Sequence, residues 1–397
     1  MEKKLSENKN GLPLLLYFAL KPLYLWNSGM LQLADLILVF FLALCLFKSK
    51  GTFTLYNERS DGIIKYVFVL ISYQFMINFI WYIFIQEFSV IKSSMYYIFN
   101  AMAFAFTILT VQDCGIDRVK KAIAKGAVYS TMITIIGMIM YTGTSRATGF
   151  FNNPNQLGYY AIIILTILLY LRSYLSKIER IIILIGGVVA TFESLSKAAI
   201  ISSFILISIY SIIYQEKKTV FSIIKKLSII AIIGLLIYWL LYSDSELVYN
   251  NRTLYLTRYR LIHMMEENDS SLGEGRGYDR VKELGVHFLW GMGEGTYSRF
   301  TVKHNSEVHS TFISILVSYG LIGFFGYIRF FAKCIRKQEQ TIRNVALLSG
   351  VFFYSLSHNG IRSTLLWLLL AVMFMDDRSV IRQIEQPTQA DNQVSDF

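Results

Sequence analysis

The chain has 397 residues, 54% of them hydrophobic and 16% charged, with a mean hydropathy of +0.46. An average soluble domain is nearer a quarter charged, so too little polar surface is available to cover this apolar content, which excludes an ordinary soluble globular protein. The formal charge of +11 and pI near 9.3 come without a nucleic-acid motif, and cytoplasmic loops of membrane proteins gather Lys and Arg for their own reason.

In chain order, the apolar residues fall in blocks of about 20, the length that crosses a bilayer as a helix. Twelve spans are predicted, at 11–27, 30–47, 66–86, 92–111, 126–142, 157–175, 180–195, 198–214, 227–242, 308–332, 344–357 and 362–376. The pair around Ser196 is short enough to form a re-entrant element instead. The expected fold is an all-α integral membrane protein. Residues 1–242 form an N-terminal bundle of about nine spans, 243–307 an extracytoplasmic loop, 308–376 the C-terminal transmembrane helices, and 377–397 a polar, disordered cytoplasmic tail. MEKKLSENKN precedes the first span without a small-residue cleavage site and is expected to be retained.

Charge sets the orientation. With the N-terminus inside, the inner connections carry runs such as Arg118, Lys120, Lys121 and Lys125, whereas the short outer connections hold Lys92, Arg146, Lys197 and Arg362. That asymmetry puts both termini in the cytoplasm. Of the three cysteines, Cys45 falls in a span and Cys114 and Cys334 on the inner side, so no disulfide is expected.

The loop 243–307 is longer than any other connection and mixes eight basic with ten acidic residues. Residues 253–266 read as an amphipathic helix resting at the membrane interface. Residues 276–288 carry a second helical pattern, with Val281, Leu284 and Phe288 as its apolar stripe and Arg276, Arg280, Glu283 and His287 on another face.

Three stretches carry potential chemistry. Arg146-Ala-Thr-Gly-Phe-Phe-Asn-Asn-Pro-Asn155 joins the fifth and sixth spans. Its turn formers lead into a helix whose free N–H groups face outward beside an arginine, which suits an anion such as phosphate. A capped loop whose arginine meets lipid headgroups fits equally. Ser194-Leu-Ser-Lys197 places a cation against the charge trend, either as a functional site or snorkelling to headgroups. His309 opens the tenth span at the outer interface, and Gly320 and Gly323 allow close helix contact near its middle. Histidine can take a proton from a hydroxyl near neutral pH, though a lone interfacial histidine is often simply a satisfied polar group. His304, Glu307 and His309 do not share a helix face, so no metal site is expected. Gly291-Met-Gly293-Glu-Gly295 lacks the strand–turn–helix setting of a dinucleotide loop.

These stretches, in this order and with the long outer loop before the last, resemble the O-antigen ligase and Wzy-type polysaccharide polymerase superfamily. The resemblance spans residues 140–330 by motif. Arg146 to Asn155 is similar to the family's Arg–Gly–Phe–Asn–Pro–Asn stretch. Gly275-Arg276 with the glycine-rich turn after it is similar to its Gly-Arg loop, and His309 to Gly323 to its His-Asn span. Three departures stand out: Lys197 replaces an arginine, Ser310 replaces the asparagine, and a literal His304-Asn305 lies five residues upstream. His304 is therefore an alternative to His309.

The resemblance implies a GT-C-like membrane glycosyltransferase without cofactor, metal or nucleotide sugar. It would act on the outer face of the bacterial cell membrane on polyprenyl-diphosphate-linked oligosaccharides, as donor and as acceptor. Arg146 and Arg276, with Arg280 or Lys197 in support, would hold the leaving diphosphate; Asn152, Asn153 and Asn155 would bind substrate; His309 would serve as base. Chain-length regulator and flippase proteins are the expected partners beside membrane lipids, and no nucleic acid is. A polymerase extending a cell-surface glycan is the first reading. An O-antigen ligase or protein O-oligosaccharyltransferase, and a flippase for such lipids, are the rivals.

Overall fold

In the computed structural model, residues 11–48, 58–141, 146–213, 228, 231–232, 234–236, 238–262, 276–295, 300, 308–336 and 340–376 are described. Among them the chain is all-helical. The helices are α1 Leu12–Leu20, α2 Leu33–Lys48, α3 Glu58–Ile85, α4 Phe88–Cys114, α5 Ile116–Met140, α6 Pro154–Tyr170, α7 Lys177–Glu193 and α8 Lys197–Ile213. After helical turns within 228–242 come α9 Glu246–Asn250, α10 Arg252–Ile262, α11 Arg280–Glu283, α12 Thr311–Ile335, α13 Thr341–Ser357 and α14 Thr364–Met375. Sequence chemistry sets several starts. Asn153 caps α6 by accepting from Gln156 N at 2.9 Å, with Pro154 at the first helical position, and Ser176 with Glu179 forms a capping box on α7.

Among the described residues four helices, α3, α4, α5 and α12, are long and apolar enough, by length and composition, to cross a membrane. Their outward faces do not look like a soluble surface: Phe68, Val69, Phe75, Met76, Phe79 and Phe84 are all exposed along α3. A contiguous apolar face of that kind marks a surface that meets something other than water. Together these features suggest a membrane-associated protein. Each predicted span overlaps helical residues, with boundaries shifted.

The first span differs most. The helix runs only over Leu12–Leu20, about 14 Å at 1.5 Å per residue, too short to cross alone. Pro22 ends it, since a helix cannot run normally into a proline. Lys21 then turns inward to pair with Asp35 at 3.0 Å, and the Gln32 side chain holds the loop by accepting from Leu25 N and Trp26 N. A buried ion pair joining α1 to α2 replaces the expected continuous apolar helix.

The last span is the centre of the molecule. Every residue of α14 is buried, as expected for a helix that is apolar on all sides. Trp367 sits among Phe104, Tyr327 and Phe330 and donates from Nε1 to the Ile361 carbonyl at 2.7 Å.

The tenth span is kinked rather than straight. Gly320 has φ 63° inside α12, a left-handed conformation that suits glycine. The kink leaves backbone groups unpaired within the helix, and residues 289–293 supply partners: Met292 N donates to Val317 O at 2.9 Å and Gly293 N to Ser318 O at 2.8 Å, while Ile322 N donates to Leu289 O at 3.1 Å. A Cβ at Gly320 would strike the Leu289 carbonyl, and one at Gly291 the Ser318 carbonyl. The expectation that Gly320 serves helix-to-helix contact is corrected: it admits the backbone of the preceding loop. Glu294 then locks that turn, its buried carboxylate accepting from Tyr97 and from Arg362 at 2.7 Å and its backbone N donating to Asn78 Oδ1 at 2.9 Å.

The pattern over 276–288 is also corrected. Residues 276–279 form a turn, α11 lasts four residues, and Gly285–Phe288 is a 3-10 turn. Gly285, at φ 46°, breaks the helix. Leu284 is buried with Met292, Phe300 and Val317, but Phe288 is exposed, so the expected stripe is divided.

Candidate active site at one end of the bundle

The Arg146 stretch is built onto the turn between α7 and α8. Ala147 N donates to Glu193 O at 2.9 Å, and Arg146 Nε donates to Ser194 O at 2.9 Å. Arg146 Nη2 donates to Asn155 Oδ1, also at 2.9 Å. The guanidinium plane is therefore fixed from two sides. The receiving turn is itself unusual, because buried Leu195 adopts φ 48°. Such backbone strain in a non-glycine residue is tolerated where the surroundings dictate it.

Asn155 leads to α13. Its backbone carbonyl accepts from Tyr354 Oη at 2.9 Å. The Tyr354 ring stacks on that of His358 with centroids 4.5 Å apart, and the His358 ring lies 6.4 Å from that of His309. His309 sits just ahead of α12, where Ser310 is the N-cap, accepting from Ile313 N at 3.4 Å. Its own backbone N donates to Arg276 O at 3.0 Å, and Arg276 Nη1 reaches Ser357 O at 3.4 Å. The loop after α13 is clamped onto the start of α12: Thr311 Oγ1 donates to His358 O, Gly360 N donates back to Thr311 Oγ1, and Asn359 Nδ2 donates to Ser314 Oγ.

Arg146, Arg276, His309 and Asn155 are thus joined through α13, although the chain separates them widely. His358 is the residue that sequence reasoning missed, and a literal His358-Asn359 pair directly after a span was the available signal. Its imidazole is pushed down to about 4, first by burial and then by electrostatic repulsion from the His309, Arg276 and Arg146 side chains. It is neutral at physiological pH. Ser357 Oγ donates to Tyr354 O at 3.3 Å and lies 3.0 Å from His358 Nδ1. The Ser357 hydroxyl can donate to that nitrogen or accept from it, and a neutral imidazole keeps one ring nitrogen as proton acceptor in either case.

Of the remaining predicted residues, Lys197, Asn152 and Asn153 adjoin the Arg146 turn. Lys197 is half-buried at the first position of α8, next to Ser196, whose Oγ accepts from Ala199 N at 3.4 Å. Asn153 is the cap of α6, and Asn152 donates from Nδ2 to Trp26 O at 3.0 Å, tying this stretch to the 21–32 loop. Arg280 is fully buried, its guanidinium 5.4 Å from the Phe300 ring centre and packed on Gly277. It sits against Phe300 of the Leu284 cluster, and Val308, the residue before His309, approaches the same glycine. The surface helix α10 is tied to the same end of α7 by Thr253 Oγ1, which donates to Glu193 Oε1 at 2.9 Å. His304, Glu307 and Gly275 lie outside the described residues.

Comparison with protein-family models, with curated proteins and with solved structures returns no match for this chain.

Proposed function

We propose that the chain is a membrane glycosyltransferase that polymerises a cell-surface polysaccharide, moving a growing glycan from polyprenyl diphosphate to a hydroxyl of an incoming lipid-linked repeat unit. On this reading the fold is GT-C-like with about twelve spans, lies in the bacterial cell membrane with both termini cytoplasmic, and has its site on the outer face. The observation that carries it is the gathering of Arg146, Arg276, His309 and His358 at one end of an apolar helical bundle.

The chemistry follows from that gathering. The acceptor hydroxyl oxygen attacks C1 of the donor sugar and its proton passes to a histidine, for which His309 is the candidate. The C1–O bond breaks and its electron pair leaves with the diphosphate. Two guanidiniums suit that developing charge because each can offer paired N–H donors to phosphate oxygens. Arg146 is held rigidly for the purpose by Ser194 and Asn155. An arriving diphosphate would also offset the positive charges that depress His358 and make its imidazole a better proton acceptor. The loop 243–307, anchored at Glu294 and through Thr253, would limit water entry and hydrolysis.

The test is reconstitution of the full chain with a defined diphospholipid repeat unit, reading product length by gel. A ladder of repeats supports polymerisation. Transfer of preformed glycan onto a different acceptor without ladder growth would assign a ligase, and transbilayer movement without bond formation a flippase.

A further inference from the structure

We propose that a cavity between α3, α12 and α14, at the end of α12 away from the histidines, binds the phosphate headgroup of an anionic phospholipid. The cavity has a volume of about 470 Å³. Arg59 reaches it from α3 and Arg329, Lys333 and Arg336 from the end of α12, while Ile63, Ala332 and Phe374 give it an apolar base. Its described lining contains no acidic side chain. Asp61, in the same turn as Arg59, is engaged instead with Lys65.

Three features point to a lipid. First, Arg329, Lys333 and Arg336 stand at i, i+4 and i+7, so three like charges share one helix stripe and repel one another unless an anion lies among them. Second, three of the cationic heads lie over aromatic rings while the α12 stripe itself stays exposed: Arg59 sits 5.3 Å from the Phe374 ring centre, and Arg329 and Lys333 sit 5.7 and 5.5 Å from that of Tyr66. Third, the stripe changes character along its length. Toward the helix middle it continues through Phe325 and Ile322, both exposed. A face that is apolar at one end and cationic at the other has the profile of a phospholipid, with acyl chain along Phe325 and phosphate among the cations. Basic pockets between membrane helices recognise anionic headgroups in this way. The inference rests on the membrane reading alone and is independent of the transfer chemistry.

Thermal unfolding of the purified full chain in detergent tests it, with phosphatidylglycerol, phosphatidylcholine or inorganic phosphate added at equal concentration. Phosphatidylglycerol should raise the unfolding temperature, and the other two should not. In Arg329→Gln/Lys333→Gln the apparent affinity for phosphatidylglycerol should fall on the order of 30-fold, the loss expected for two basic residues at a membrane surface. Where that double variant is unstable in detergent alone, Arg336→Gln at the helix end is read instead, with a loss of roughly fivefold. An equal response to phosphatidylcholine would reduce the site to ordinary lipid contact. An equal response to inorganic phosphate would make it a free-anion site, and an unchanged response in the variants would place the lipid elsewhere; each overturns the proposal.

Discussion

His309 and His358 bring their rings within 6.4 Å of each other from the start of α12 and the end of α13. Neither helix end could supply the pair alone. The clamp between them, from Thr311 Oγ1 to His358 O and from Gly360 N to Thr311 Oγ1, fixes their spacing through the Thr311 hydroxyl and the backbone of the 358–360 loop, without either ring. Substitution of either ring therefore leaves the clamp in place, so the two can be compared in a folded protein.

Replacing His309 with alanine should leave lipid-linked repeat units unextended at normal protein abundance, because loss of a general base typically lowers rate by about 10² to 10⁴. His358→Ala should cost less, and His304→Ala should retain polymer. Glycan length by gel, read beside protein level, decides among them. An inactive His304→Ala with active His309→Ala would move the base upstream.

Arg146→Lys should lose most activity while still folding and inserting. Lysine keeps the charge but cannot hold the Ser194 carbonyl and the Asn155 amide oxygen in one plane while offering a paired face to phosphate. Near-normal polymer from this variant would return Arg146 to a headgroup-anchoring role.

His358 gives the protein an acid-sensitive stability. Its folded value of about 4 lies below the ordinary 6.5, so the unfolded chain binds the proton more readily. The stabilisation is fully present above about pH 6.5 and is lost as pH falls toward about 4, amounting to about 3 kcal/mol over that window. Melting curves between pH 7 and pH 4.5 should show a steeper loss for the natural protein than for His358→Gln. Parallel curves would remove His358 from the account.

Gly320→Ala should destabilise by several kcal/mol, since it adds both a left-handed strain and a clash with the Leu289 carbonyl. Gly62→Ala, on α3 with nothing within 4 Å of the added Cβ, should be neutral or stabilise by up to about 1 kcal/mol. Unfolding temperatures of the two variants in detergent check the contrast.

Cysteine placed at Ser271 should be labelled from the outer face of intact cells. Protection there would invert the topology and with it the proposed side of the site.

Hydropathy made the helical segments legible, and the all-round apolar character of 364–375 accords with its burial on every side. Arg146 and His309 were legible because each breaks a local rule, a cation on the wrong side and a histidine at a span mouth. What stayed hidden depends on partners distant in sequence. Arg280 looks like one position of an amphipathic face until Gly285 ends the helix and the guanidinium is folded inward under Phe300. His358 seems a loop residue until α13 carries it back to α12. The shortened first helix needed Asp35, a residue of the next span, to draw Lys21 inward.

The docking of residues 289–293 into the break at Gly320 also constrains how the protein is made. Synthesis proceeds from the N-terminus, so this turn leaves the ribosome before the helix that receives it. Its amides then have no lasting partner, and the half-helices 311–319 and 321–335 emerge with a gap in their own ladder. A stretch with unpaired backbone groups is costly in hydrocarbon. On the membrane reading, insertion of α12 and capture of the turn would therefore be completed together, and a chain stalled between the two steps would present an open seam of backbone groups.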